Sequence, residues 1–231
     1  MWNGKNKALT FSYDDCIEQD RQLVDIFNRY GMKCTFNLNS AIMNGTGDFE
    51  IEGKYVRRMR PDEMKDLYTG HEIAVHTLHH ADLTLLTEDK IREETAEDKK
   101  ALEAMFGTKI YGMAYPYGSF NKEVVRVIGE CGILYSRTVN AAYNFRPQND
   151  LLEFAATCHH SDDRLFELLD EFLRYDGSEP AVFCVWGHSY EFYVDDNWEL
   201  MEDFCRKAAC HDDIFYGTNS RVLLGIDNCV R

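Results

Sequence analysis

The stretch Lys7-Ala8-Leu9-Thr10-Phe11-Ser12-Tyr13, followed by Asp14-Asp15-Cys16 and then by residues 17–30, sets the architecture. Its first seven residues read as a strand. Residues 17–30 then carry Leu23, Ile26, Phe27 and Tyr30 at the spacing of one helix face, and Gly31 supplies a stop. The unit is strand, acidic turn, helix.

Working outward, the unit recurs. Residues 33–38 are the next strand, 44–54 read as a polar, glycine-containing loop, and Pro61 opens a short helix ending near Gly70. Residues 71–76 form a strand. Thr87 caps a long helix to about Phe106, with Gly107 as its stop. After a strand at 111–115, Asn121 caps a helix with Val124, Val125, Ile128 and Cys131 on one face. Short strands follow at 133–138 and 151–155. Ser161 caps a helix carrying Leu165, Leu168, Leu169, Phe172 and Leu173; then come a strand (181–186), a helix (196–209) and a last strand (214–217). Alternating strands and helices imply a parallel sheet with covering helices. About seven units in 231 residues point to barrel-like closure, with a doubly wound open sheet as the other arrangement the pattern allows.

Composition narrows the function. The chain has the length of one large α/β domain, and residues 1–231 read as a single unit. A formal charge of −15 argues against nucleic acid and anionic membrane as partners, since both select basic surfaces. No apolar run has the length of a membrane span, and Met1-Trp2-Asn3-Gly4-Lys5 lacks the apolar core of an export signal, so a cytoplasmic location is expected. Eight cysteines without a CxxC pair read as reduced thiols rather than a cysteine zinc site.

Four polar segments lie just past predicted strands: Asp14-Asp15; His76-Thr77-Leu78-His79-His80; Tyr115-Pro116-Tyr117-Gly118; and Trp186-Gly187-His188-Ser189-Tyr190-Glu191. Taken singly, each has a plain structural reading. Paired acids cap helices, a histidine-rich loop can be merely solvated, and a Pro-Tyr-Gly turn is ordinary punctuation. Together they gain weight, because the carboxyl ends of barrel strands share the face where active sites are built. One carboxylate and two imidazoles would hold a divalent ion with positions open to water and substrate. A spare carboxylate and a spare histidine remain to move protons.

At these residues the sequence resembles the NodB-homology polysaccharide deacetylases, carbohydrate esterase family 4, from Thr10 to His188. Thr10 to Cys16 is similar to the family's Thr-Phe-Asp-Asp-Gly motif, with Tyr13 inserted and Cys16 in place of Gly. His76 to His80 is similar to its His-(Ser/Thr)-x-x-His motif, and Ala81-Asp82-Leu83 continues the pattern. The resemblance implies a distorted (β/α)7 barrel. It implies Asp14 as base, Asp15, His76 and His80 as ligands of one divalent metal, expected to be zinc, the Tyr117 N–H as oxyanion donor, and His188 as acid. His79 is expected not to be a ligand. The family's Arg-x-Pro motif would place arginine at 114, where this chain has Ala114, and its Asp-x-x-x-Trp motif is not evident. Arg137, ending the next strand, is expected to replace the missing arginine beside Asp14.

The implied reaction is removal of acetyl from an N-acetylated sugar or another small amide. Aromatic residues crowd the motifs, about half of them expected in the core, and Glu191 with residues 190–198 is expected to wall a short pocket. Hydrolysis of a cyclic imide or ureide, an inactive sugar-binding homologue, and a domain whose histidines never meet are the other readings.

Overall fold

In the computed structural model, which describes residues 2–43 and 45–231, the strands are β1 (Lys7–Asp14), β2 (Cys34–Leu38), β3 (Phe49–Ile51), β4 (Lys54–Val56), β5 (Glu72–Val75), β6 (Gly112–Ala114), β7 (Tyr135–Ala141), β8 (Phe154–Ala156), β9 (Cys158–His159), β10 (Ala181–His188) and β11 (Ile214–Tyr216). Between and after them run the helices α1 (Asp20–Arg29), α2 (Pro61–Met64), α3 (Glu88–Phe106), α4 (Lys122–Glu130), α5 (Leu165–Arg174), α6 (Ser189–Val194) and α7 (Trp198–Ala208).

The main sheet runs β8–β7–β6–β5–β2–β1–β10–β9, with β11 beside the start of β1. Every pairing in it is parallel. Parallel strands in such a sheet are covered on both faces, and β1, β2 and β5 are buried at every residue, polar ones such as Thr10, Ser12, Thr35 and Asn37 included. The two ends of the sheet meet in one stretch of chain. Only Thr157 separates β8, which pairs with β7, from β9, which pairs with β10, and the Thr157 N–H donates to Cys184 O at 2.8 Å. The sheet thus returns on itself as an α/β ring of seven strand positions, the distorted (β/α)7 barrel the sequence predicts. At its lower end the buried Glu72 accepts from Thr35 Oγ1 (2.8 Å), Tyr135 OH (3.0 Å) and Ser220 N (2.9 Å), which leaves the upper, carboxyl end for chemistry.

Several boundaries differ from the sequence reading, each for a local reason. The expected loop at 44–54 begins at Asn44, outside the described residues, but from Phe49 onward it is the hairpin β3–β4. Its two-residue turn, Glu52-Gly53, has φ of 51° and 75°, as a tight hairpin turn requires. The hairpin is secured against α6 by Phe49 on Tyr190 and by Lys54 Nζ donating to Tyr193 O (2.6 Å). Ser161 does not cap α5, which starts at Leu165; its hydroxyl and N–H serve His159 Nδ1 instead. The helix from Pro61 ends at Met64, and α6 was not foreseen. Nor is Tyr13 an insertion. β1 pairs with β10 in unbroken register from Lys7 to Asp14, whereas an extra residue would bulge the strand. No described helix is long and apolar enough to cross a membrane.

Candidate active site

The upper rim of the ring gathers the predicted residues. Asp14 ends β1, His76 follows β5, Pro116-Tyr117 follows β6, Arg137 lies in β7, and His188 ends β10. Asp15 and His80 both have positive φ (87° and 57°), so the chain turns sharply at each, and the Asp15 N–H is tied to Asn37 O (3.1 Å).

Asp15, His76 and His80 present donor atoms that lie within 4.8 Å of one another. Asp15 Oδ1 is 3.5 Å from His80 Nε2 and 3.9 Å from His76 Nε2. His76 Nδ1 lies 2.8 Å from the Ala114 carbonyl, which only accepts, so Nδ1 carries the proton and Nε2 offers a lone pair. Burial holds His76 below the ordinary histidine range and His80 at about 4, so both rings are neutral. Burial pushes the Asp15 carboxyl up, but the charges led by His188 and Arg58 outweigh it and bring it to about 2. A carboxylate and two neutral imidazoles with free nitrogens have the donor chemistry a divalent ion needs. His79 stands apart: its Nδ1 pairs with Glu94 Oε1 (2.7 Å) on the surface.

Asp14 is held from two sides. Asn37 Nδ2 donates to Oδ1 (2.8 Å), and the Arg137 guanidinium is hydrogen-bonded and ion-paired to Oδ2. Arg137 is fully buried, donates to Ser12 Oγ (3.2 Å) and lies over the Trp186 ring at 4.4 Å. Ala114 and Arg137 are register partners on adjacent strands, so the guanidinium reaches Asp14 from one strand further round the ring. Burial raises the Asp14 carboxyl, and Arg137 foremost, with His188, more than reverses this, keeping it below the usual carboxylate value.

His188 Nε2 lies 3.9 Å from Asp14 Oδ2 and from Asp15 Oδ2. Its Nδ1 faces Glu191 Oε1 at 3.2 Å. Burial lowers its pKa, but Glu191, Asp15 and Asp14 raise it to about 9. The half-buried Glu191 carboxylate faces a histidine pair as well: His159 Nε2 and His160 Nε2 each lie 3.2 Å from Oε2. His159 Nδ1 accepts from the Ser161 N–H (3.2 Å), so its Nε2 is protonated and donates to Glu191. This second histidine–glutamate group is therefore a hydrogen-bonded network rather than a set of free metal donors. Gly187 makes room for it, since a Cβ there would run into the His160 ring.

Tyr117 stands at the mouth, 67% exposed, its ring 4.7 Å from that of His80. Tyr13, Tyr115, Trp186 and Phe192 are core, while Tyr117 and Tyr193 are exposed. Four site residues escaped the sequence reading: Arg58, Asn37, His159 and His160. The pair His159-His160 after a short strand was a signal of the same kind as His76–His80; Arg58 and Asn37 carried none.

A parallel α/β ring with ionisable residues at the carboxyl ends of its strands has the architecture of a barrel enzyme. Its particular kind follows from comparison with known proteins. The polysaccharide deacetylase family profile matches residues 3–136, and the chain belongs to that family. It is 30% identical over 125 residues to a chitin deacetylase of Pestalotiopsis, covering 54% of this chain and 38% of that one. Its fold is similar to that of a putative polysaccharide deacetylase from Mycobacterium smegmatis, with a TM-score of 0.67 at 17% identity over 96% of this chain and 91% of that one. It is also similar to a carbohydrate esterase family 4 pseudoenzyme from Bacillus anthracis, with a TM-score of 0.57 at 16% identity over 94% and 66% of the two chains. The matches span 26 to 42% of the length of the curated relatives.

Proposed function

We propose that the protein is a metal-dependent deacetylase that releases acetate from an N-acetylated sugar or sugar conjugate. The observation that carries this reading is the meeting of three groups on one rim: the donor set Asp15, His76 and His80; Asp14, held by Arg137; and His188, backed by Glu191.

Asp15, His76 and His80 would hold one divalent ion, with zinc the expected metal. Such an ion supplies polarisation of the acyl oxygen and acidification of a water. The chain's own residues do the rest. Asp14, ionised and fixed by Arg137 and Asn37, takes a proton from the attacking water. The Tyr117 N–H donates to the oxygen that becomes negative as the tetrahedral centre forms. His188 gives its Nε2 proton to the departing nitrogen while Glu191 accepts from Nδ1. Water is added across the C–N bond, and the products are acetate and an amine. Residues 1–231 act in this reading as one catalytic unit, since β1 is paired with β10 and β11 from the far end of the chain. Eight unpaired cysteines fit a reducing, cytoplasmic compartment.

The feature that favours an inactive sugar-binding homologue is Ala114, where the family's motif has arginine. Arg137 places a guanidinium on Asp14 from the neighbouring strand, which favours an active site. Ring opening of a cyclic imide would use the same metal group. Parallel panels of N-acetylated sugars and cyclic imides decide between them: acetate release is expected from the first and no ring opening from the second. Turnover confined to imides would overturn the deacetylase assignment.

A further inference from the structure

Arg58 is only 5% exposed, yet no step above uses it. Residues 57–59 lie antiparallel to 16–18, with Glu18 N donating to Arg57 O and Met59 N to Cys16 O, each at 2.9 Å. This pairing carries the guanidinium beneath Asp15. Nη1 donates to the Asp15 carbonyl oxygen and to Asn39 Oδ1 (3.0 Å), Nη2 to Asp15 Oδ1 (3.2 Å), and Nε to Gly47 O (3.0 Å). Space is reserved for it: a Cβ on Gly47 would stand 2.6 Å from Arg58 Cδ and 2.7 Å from Nε. Asn39 in turn donates to the carbonyls of His76 and Thr77, so one network braces both ligand-bearing loops. The oxygen Arg58 holds, Asp15 Oδ1, is the one that faces His80 and His76.

We propose that Arg58 is the counter-ion of Asp15 in the metal-free protein and thereby sets how tightly the protein takes up metal. The proposal rests on Asp15, His76 and His80 being the metal ligands. Without metal, a buried carboxylate needs a paired charge, and Arg58 supplies it while keeping Asp15 in its sharp turn. A divalent ion arriving at the same oxygen meets a fixed positive charge in a water-poor site, where like charges repel strongly. Arg58 therefore stabilises the ligand set before loading and opposes the loaded state.

Zinc affinity, measured by competition with a chromophoric chelator, reads this directly. Arg58→Met is expected to bind zinc about tenfold tighter or more than wild type. Arg58→Lys keeps the charge but not the planar fork and should stay within about threefold of wild type. Metal-free Arg58→Met should melt lower than wild type and gain more on adding zinc. If Arg58→Met does not fold, Arg58→Gln, neutral but still able to donate to the Asp15 carbonyl, should show the same tightening. Unchanged or weaker zinc binding in the neutral variant overturns the proposal. His80→Ala separates the two levels. If it loses zinc while the neutral Arg58 variant gains nothing, the Arg58 role alone fails. If it binds zinc like wild type, the ligand assignment fails and this proposal with it.

Discussion

Replacing Arg137 by Met keeps most of the side chain's volume and removes the charge that faces Asp14. Asp14 is 3% exposed and Arg137 is fully buried, so water cannot replace the lost partner. Breaking a buried ion pair by removing one member costs about 3–5 kcal/mol. The stacking on Trp186 at 4.4 Å is lost as well, adding about 1–2 kcal/mol when desolvated. Urea unfolding should therefore show a loss of about 4–7 kcal/mol. The Asp14 carboxyl responds too. Burial pushes it up and Arg137 is the largest group pulling it down, so its pKa should rise in Arg137→Met, and carboxyl ¹³C NMR should follow that rise. The acid side of the activity profile should move to higher pH with it. Because Ala114 and Arg137 are register partners, the double variant Ala114→Arg/Arg137→Ala returns a guanidinium to the same cavity from the next strand. It should recover at least half of the lost stability and the low Asp14 pKa. A single variant within about 1 kcal/mol of wild type, with an unmoved carboxyl resonance, refutes the pairing as the source of Asp14's ionisation.

Three further outcomes follow from the geometry. His76→Ala and His80→Ala should each bind zinc at least about a hundredfold more weakly by competition titration, while His79→Ala, whose ring pairs with Glu94, stays near wild type; full zinc in His80→Ala contradicts the ligand set. Glu191→Ala should lower kcat about a hundredfold with little change in KM and let the His188 ring populate both tautomers by ¹⁵N NMR, whereas an unchanged tautomer means Glu191 does not orient it. Asp20 is buried, accepts from Tyr68 OH (2.7 Å) and Ser189 Oγ (2.6 Å), and is raised by burial to about 7. A raised folded-state pKa gives stability that is full below the unfolded value near 4 and lost as pH climbs through about 7. The stability of wild type relative to Asp20→Asn should therefore fall by about 1.4 kcal/mol per pH unit between about 4 and 7 and then level off. A flat difference in urea unfolding across that range contradicts it.

The architecture was largely legible because parallel strands buried on both faces leave unmistakable apolar runs, as in Val182-Phe183-Cys184-Val185. Helix ends marked by a specific residue were legible too: Asn121 caps α4 through Val124 N, and Gly107 closes α3 with φ of 67°. Ser161 misled because its neighbour His159 competes for it, a contact set by tertiary structure. The hairpin β3–β4 was missed because polar strands pinned by contacts to α6 lack the apolar run of a core strand, although Glu52-Gly53 was a turn signal. In the site, residues at strand ends were readable because topology alone sends them to one rim. Arg137 does face Asp14, but from inside β7 (Tyr135–Ala141) and not from its end, since the strand runs on past the expected stop at 138. Arg58 was unreadable, since a bridge between residues 16–18 and 57–59, and not periodicity, carries it to Asp15.

The central claim is that Asp15, His76 and His80 hold a metal that deacetylation requires. Acetate release from N-acetylated sugars should be measured on one preparation before chelation, after chelation and after reloading with zinc, with His80→Ala alongside. Activity should vanish on chelation, return with about one zinc per chain, and never appear in His80→Ala. Acetate release that persists at full rate in the chelated protein, or in His80→Ala, would contradict the account.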